Sequence, residues 1–391
     1  LKRKTIITKI LVNHQSVSYP LKNSLLLFFL LLFIVSCTTP ADNKGDFAYP
    51  EPVQLQQVHA ISEWDDGMFG SNIMVQPLEN GHIAVADIQQ LSLYHFGQDG
   101  NHIETIGRSG QGPGEYARFT DLIYKNNQLL VFDVRNQRVN RYSFTNKRLL
   151  LTVTHDYEYS ALREHPAALF WKVVPASDGR HTSLYYDFNM MSADNPRMAK
   201  IAAVPYNEDF TAASDTAVVV LDYTPEFEFR GGILTIPYTP RGYVATLTDY
   251  LVYANNQNSS LLFYDRVGNL VREVDIPGEM AVVSGADKEE LFNRMYGHLD
   301  DPSILRNEVI NRIPNQRPTL RSLQSDADDR LWIRLFRDDS DDDWLVMNNE
   351  GTPLFTINIP DGHTFRNALG NRLYTTHSGD SGLELVVLEF E

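Results

Sequence analysis

Four stretches of this chain repeat one short pattern in one register, and that spacing restricts the fold more than any single residue does. The pattern starts on a polar anchor at Asp87, Asp133, Asn255 and Asp338. Six residues after each anchor stands a large apolar residue: Leu93, Val139, Leu261, Trp344. Nine after comes Phe96, Tyr142, Tyr264 or Met347, and thirteen after comes Gly100, Asn146, Gly268 or Gly351. Apolar runs lead up to the anchors, as in Ile83-Ala84-Val85-Ala86 and Leu129-Leu130-Val131-Phe132. The unit reads as strand, polar turn, strand, turn at Gly or Asn. A recurring hairpin of this kind predicts a β-propeller or a related repeat fold.

Period-two alternation between turn signals divides the chain into four-stranded meanders. Blade one is expected over Ile73–Pro77, His82–Asp87, Ser92–Phe96 and His102–Ile106, with hairpin turns at Asn80-Gly81 and Asp99-Gly100. Blade two falls on Asp121–Lys125, Leu129–Asp133, Arg138–Ser143 and Leu149–Thr154. Blade three is less regular, with Leu169–Val174, His181–Tyr186 and a poorly patterned stretch containing Met198–Val204. Blade four takes Tyr243–Thr248, Tyr250–Asn255, Leu261–Asp265 and Leu270–Ile276, and blade five takes Leu320–Leu323, Arg330–Arg337, Asp343–Met347 and Pro353–Ile359. The last blade has only Thr364–Ala368, Arg372–His377 and Leu383–Phe390. The alternating segment Val53–Ile61 precedes blade one without a blade of its own, so it is expected to supply the missing strand and close a ring of six. A seventh blade would have to lie hidden in 155–240.

Two stretches break the rhythm. Ala286–Asn311 has helical spacing, with Leu291, Met295 and Leu299 at four-residue steps after the charged turn Asp287-Lys288-Glu289-Glu290. Pro314 and Pro318 then return the chain to strand. The region 205–240, rich in Pro, Gly and aromatics, is expected to form a long loop. Binding concentrates on loops held by rigid scaffolds, so both stretches are expected to cover one face and to carry function.

The N-terminal region has a different character. Residues 1–36 hold five basic residues (Lys2, Arg3, Lys4, Lys9, Lys22) and no acid. Leu25 to Val35 is an unbroken apolar run of eleven, short of the roughly 20 needed to span a bilayer but suited to a signal-peptide core. It leads through Ile34-Val35-Ser36 to Cys37, the only cysteine in the chain. That sequence resembles the bacterial lipobox, which implies lipidation of Cys37 and attachment to a membrane through buried acyl methylenes. A single cysteine also excludes an intrachain disulfide. The chain begins with Leu, and Leu21-Lys22-Asn23 already provides a short charged leader, so residues 1–20 read as a misassigned or non-standard start. Residues 37–52 follow as a lipidated Cys and flexible tether, and 53–391 as the propeller domain.

The chain has a formal charge of −16, and removing the five positive charges of the leader leaves −21. Such a surface repels nucleic acid and anionic headgroups, which excludes nucleic-acid binding as an expectation.

The segment Ile106-Gly107-Arg108-Ser109-Gly110-Gln111-Gly112-Pro113-Gly114-Glu115-Tyr116 resembles the G-x-x-G-x-G-P-G-E-[FY] linker between blades of NHL-like six-bladed propellers, above all lipoprotein propellers of the Bacteroidetes type. Pro318, Asp326 and Asp329-Arg330-Leu331-Trp332-Ile333 resemble that group's P…D-x-x-G-R-L-W-V blade, with Asp329 where the group has Gly. The resemblance runs from about Val53 to Glu391. It implies a six-bladed fold in the envelope of a Gram-negative bacterium, at the outer membrane or periplasmic face. Chemistry it leaves open, since NHL-type repeats bind protein or RNA while other relatives are lyases or lactonases.

Several local patterns invite a catalytic reading that their context does not support. The glycine-rich linker lacks the following helix and the Lys-[Ser/Thr] pair of a phosphate loop, and its glycines suit a tight crossover between blades. Arg108, Glu115 and Arg118 remain candidate ligand contacts there. Gly379-Asp380-Ser381-Gly382 looks like a serine-protease nucleophile motif but has no matching His context and falls where a hairpin must turn. The run Asp338-Asp339-Ser340-Asp341-Asp342-Asp343 lacks the spacing and Gly of an EF-hand. The anchors Asp87, Asp133 and Asn255 could form a ring of ligands, but they are equally what a strand-ending turn requires. None of the eleven His stands in an H-E-x-x-H pattern. Trp64, Trp171, Trp332 and Trp344 read as packing residues.

The expectation is a non-catalytic binding or scaffold module, monomeric, holding a protein, peptide or glycan at its loop face, with no cofactor. The alternative is a metal-dependent lactonase- or lyase-like enzyme acting in the central channel, with Asp121 and Thr246 among the few candidates there.

Overall fold

The computed structural model describes residues 49–391 apart from 65–66, 158–167, 188–196, 215, 231, 277–279, 337–342 and 380–381. Cys37, the anchor Asp338 with the acidic run up to Asp342, and Asp380-Ser381 lie outside the described residues. Ala48–Glu391 forms one compact unit.

Six antiparallel sheets follow one another along the chain, each a meander of four neighbouring strands. The first strands of the sheets are Ile73–Pro77, Phe119–Lys125, Leu169–Pro175, Gly242–Leu247, Leu320–Ser325 and His363–Leu369. All six contribute residues to the wall of one central cavity, so these are the innermost strands of a six-bladed β-propeller. The strands of blades one, two, four and five fall within a few residues of their expected positions. Leu55–Ile61 pairs antiparallel with Gly382–Phe390 and becomes the outer strand of blade six, so the N-terminal segment closes the ring as expected. The preceding Pro52–Val53 does something separate, pairing in parallel with Thr356 and Ile357 on the edge of blade five.

One expectation needs correction. The region 205–240 is not one long loop, because Val219–Phe229 is the fourth strand of blade three and turns back through Gly232–Leu234. Pro225 within that strand and the turn-rich run before it hid the alternation. The stretch 286–311 is helical, as its spacing implied, and forms two helices. Helix α1, Gly285–Tyr296, starts on a capping box between Ser284 and Asp287 and ends at Gly297. A second helix, α2, spans Ser303–Ile310. The face that α1 buries is Leu291 and Phe292, whereas Leu299 lies past its end and is exposed.

The two stretches do meet. Ile236 and Leu234 pack with Val283, Leu291, Phe292, Val309 and Ile313 in one cluster, and the Tyr296 hydroxyl donates to Thr235 O at 2.6 Å. Both lie on the face where each outer strand hands over to the next blade. The connection between the third and fourth strands of blade three, from Tyr206 to Val219, belongs to the opposite face.

The repeat anchors are turn caps with a second task. Asp133, fully buried, accepts from Arg135 N and Asn136 N in its own turn, and also from Ala117 N and Arg118 N of the incoming linker. Asp87 does the same with Gln89 N, Gln90 N and Gly70 N. In blade four the work is divided. Asn255 caps Gln257 N, and Asn256 accepts from Arg241 N. Asp87 and Asp133, and Asn256 in blade four, thus tie the end of a second strand to the entry of its own innermost strand.

Replacing Asp133 with Ala leaves several backbone donors without a partner, and the expected loss is about 3 kcal/mol of unfolding free energy. Asn255→Ala removes one exposed bond and should cost no more than about 1 kcal/mol. Denaturant unfolding of the two variants checks the order, and equal losses would contradict the second task assigned to Asp133.

Candidate functional site

The central cavity encloses about 760 Å³ and runs along the innermost strands to the turns that follow them, at Glu79, Asn126, Thr248, Asp326–Asp329 and Leu369. A cavity of that size suits a small molecule. Its wall is fastened by bonds from blade to blade. Asp121 Oδ2 accepts from Val173 N at 2.8 Å, joining blades two and three. Asp249 N donates to Pro175 O between three and four. Thr248 N donates to Asp329 Oδ1, and Ser325 Oγ to Thr246 O, between four and five. Asn367 serves two seams, accepting from Ala327 N of blade five and donating to Val75 O of blade one. Blades one and two are joined at their outer strands instead, where Glu104 accepts from Arg148 and from Leu149 N.

Inside this wall Asp121 is a strongly perturbed carboxyl. Burial pushes its pKa up to about 6, against the pull of Lys172 and of bonds from Val173 N and Leu122 N. Asp326 is also raised, by burial first, although it meets Arg330 Nε at 2.6 Å and Trp332 Nε1 at 2.7 Å. These three residues are the core of the D…R-x-W motif, so that motif builds a blade interior. Asp329, where the resembling group has Gly, has φ 58°. That left-handed conformation explains the group's Gly, and here the carboxylate compensates by capping Thr248 N.

The residues singled out in the linker lie elsewhere. Arg108, Glu115 and Arg118 sit where blade one hands over to blade two, at the opposite end of the innermost strand from the turns of the channel mouth. Glu115 accepts from Gly112 N at 2.8 Å, Gln111 N at 3.1 Å and Arg108 Nε at 3.0 Å. Those bonds, Gly112 N foremost and then Arg108, hold its carboxyl below the usual range. Arg138 donates to the carbonyls of Gln111 and Gly112, which completes a self-sufficient loop. Gly110, at φ 156°, leaves no space for a Cβ beside the Glu115 carboxylate. Arg118 is exposed, and its backbone N–H is held by Asp133. The structure brings Arg108 and Glu115 together and leaves Arg118 apart from them.

Thr246 lines the channel with Asp121. Lys125, Lys172 and Arg366 line it as well, and sequence reasoning gave no sign of them, since nothing local marks which alternate residues of an innermost strand face the axis. Among the described residues, no three His, Cys, Asp or Glu converge in a way that would hold a metal ion. Trp332 and Trp344 are buried, while Trp64 and Trp171 are partly buried within aromatic clusters.

A family model described as a 6-bladed beta-propeller matches residues 66–222. A solved member of the duf4221 family from Bacteroides vulgatus aligns with a TM-score of 0.50 at 12% identity, covering 88% of this chain and 99% of that one. A protein from Bacteroides fragilis, named for an expected export, aligns at 0.49 and 11%, with 88% and 99% covered. Virginiamycin B lyase from Staphylococcus aureus aligns at 0.38 and 11%, with 86% and 99% covered. No curated protein matches in sequence. The family model is that of a six-bladed propeller, and the likeness to the duf4221 structure extends no further than the fold.

The raised pKa of Asp121 has a stability consequence with a definite sign. The unfolded carboxyl ionises near 3.8, the folded one near 6, so the folded state loses ground as pH rises between those values. Asp121→Asn should therefore gain stability relative to the parent between pH 4 and pH 8, on the order of 2 kcal/mol. Paired thermal melts across that range check it; a difference that does not change with pH would contradict the raised pKa of Asp121.

Proposed function

We propose that this chain is a lipid-anchored NHL-like propeller of the bacterial cell envelope, a binding module that holds its ligand in the central channel. The observation that carries this reading is the 760 Å³ cavity, walled by all six innermost strands and lined by polar and charged groups beyond those the fold requires. The apolar run Leu25–Val35 ending at Cys37 supports export and lipidation, as do the Bacteroides proteins of similar fold, one of them named for expected export. The acidic surface argues for a protein, peptide, glycan or smaller ligand rather than nucleic acid. Because Glu115 and Arg108 are engaged in holding their own loop, the channel is a better binding site than the linker.

The enzymatic alternative needs a set of metal ligands or a positioned acid and base. Asp121 has a pKa suited to proton transfer, but its two oxygens are held by backbone donors, and among the described residues no second titratable partner is bonded to it. The binding reading is the stronger.

Labelling with radioactive palmitate during expression of the full chain should mark the protein and place it in the membrane fraction. Cys37→Ser should lose the label and release the protein. A labelled Cys37→Ser variant would contradict the anchor. For the channel, Thr246→Phe should abolish saturable ligand binding while leaving the melting temperature within a few degrees; unchanged binding would move the site elsewhere.

A further inference from the structure

The channel holds a charge arrangement that the fold does not consume. Its walls carry Asp121, Asp326, Asp328 and Asp329, with Glu79 exposed at the rim, and the cations Lys125, Lys172 and Arg366. Each of the four inner acids already has donors from the protein. Asp121 accepts from Leu122 N and Val173 N, and Asp326 from Asp328 N, Arg330 and Trp332. Asp328 accepts from Gly370 N and stands 3.3 Å from Arg330, and Asp329 accepts from Thr248 N.

The cations are not matched in this way. Arg366 is partly buried and, among the described residues, commits only its Nε, to Thr376 Oγ1 at 2.9 Å. Among the described residues no carboxylate pairs with it, and burial alone acts on its pKa, lowering it. Lys172 is near enough to Asp121 to act on its charge but makes no ion pair with a described residue. Lys125 Nζ has one long contact, 3.4 Å to Thr248 Oγ1. In a chain with 50 acids against 34 Lys and Arg, cations facing a cavity without an ion pair among the described residues run against the composition. A desolvated guanidinium is costly unless an anion meets it, and its planar fork matches two oxygens of one oxyanion.

We propose that the channel takes a small ligand through an oxyanion, a carboxylate, sulfate or phosphate group, with Arg366 as its anchor and Lys172 and Lys125 as further contacts. This rests on the channel-binding reading above and names the ligand's chemistry. The polar remainder of the wall, including Gln76, Thr246 and Gln324, supplies hydrogen bonds to the ligand's uncharged body. Asp121 sets the pH response. Its negative charge beside Lys172 opposes an anion above pH 6 and is neutralised below it, so affinity rises as pH falls.

Calorimetric titration of the full chain with sulfate, phosphate and glucuronate, at an ionic strength fixed with chloride, tests this, with glucose as the neutral control. Saturable binding of at least one anion is expected, weakened about tenfold or more by Arg366→Gln. Arg366→Lys keeps the charge and should retain part of the affinity, which separates recognition from a folding defect. With sulfate, which does not titrate in this range, affinity should strengthen from pH 8 to pH 5 and become flat in Asp121→Asn. If no anion binds, or binding is indifferent to Arg366→Gln, the oxyanion assignment falls. A neutral ligand that Thr246→Phe displaces and Arg366→Gln does not would overturn the oxyanion while the channel reading stands; a ligand unaffected by Thr246→Phe would overturn the channel reading itself.

Discussion

A ring of six sheets keeps an open centre only if each innermost strand is fastened to its neighbour, and in this chain side-chain-to-backbone hydrogen bonds do much of that fastening. Asp121 on Val173 N, Asp329 on Thr248 N, Ser325 on Thr246 O and Asn367 on both Ala327 N and Val75 O bridge four of the six seams. Several are made by carboxylates or amides partly removed from water, where a lost partner leaves an expensive orphan. The same bonds determine what the channel can do. Acids that clamp seams are no longer available to a ligand, so among the described residues the cations between them face the cavity without an ion pair, Arg366 above all.

Much of the fold was legible in the sequence because propeller strands are short, alternate with period two and end at turns with strong residue preferences. Asn80-Gly81, with both residues at positive φ, and the anchors at Asp87 and Asp133 are of that kind. What escaped was context. Val219–Phe229 lies in a strand because Arg197–Tyr206 offers it an edge, despite Pro225. The anchors read correctly as caps, but their bonds to Gly70, Ala117 and Arg118 span 15 to 17 residues and have no local signature.

The site was less legible than the fold for a related reason. Asn367 and Val75 are 292 positions apart, and only ring closure brings them together. Arg366 resembles any strand arginine until its neighbours are known. The glycine-rich linker drew attention because it is unusual locally, yet its polar groups satisfy one another. Conspicuous sequence here marked a tight crossover, and the candidate site sits on ordinary residues at the axis.

The most direct test of this account is a crystal structure of the protein grown with sulfate or glucuronate below pH 6. The account predicts an ordered oxyanion in the channel within hydrogen-bonding distance of the Arg366 guanidinium. An empty channel, with the ligand instead on the face built by α1, α2 and Ile236, would contradict it.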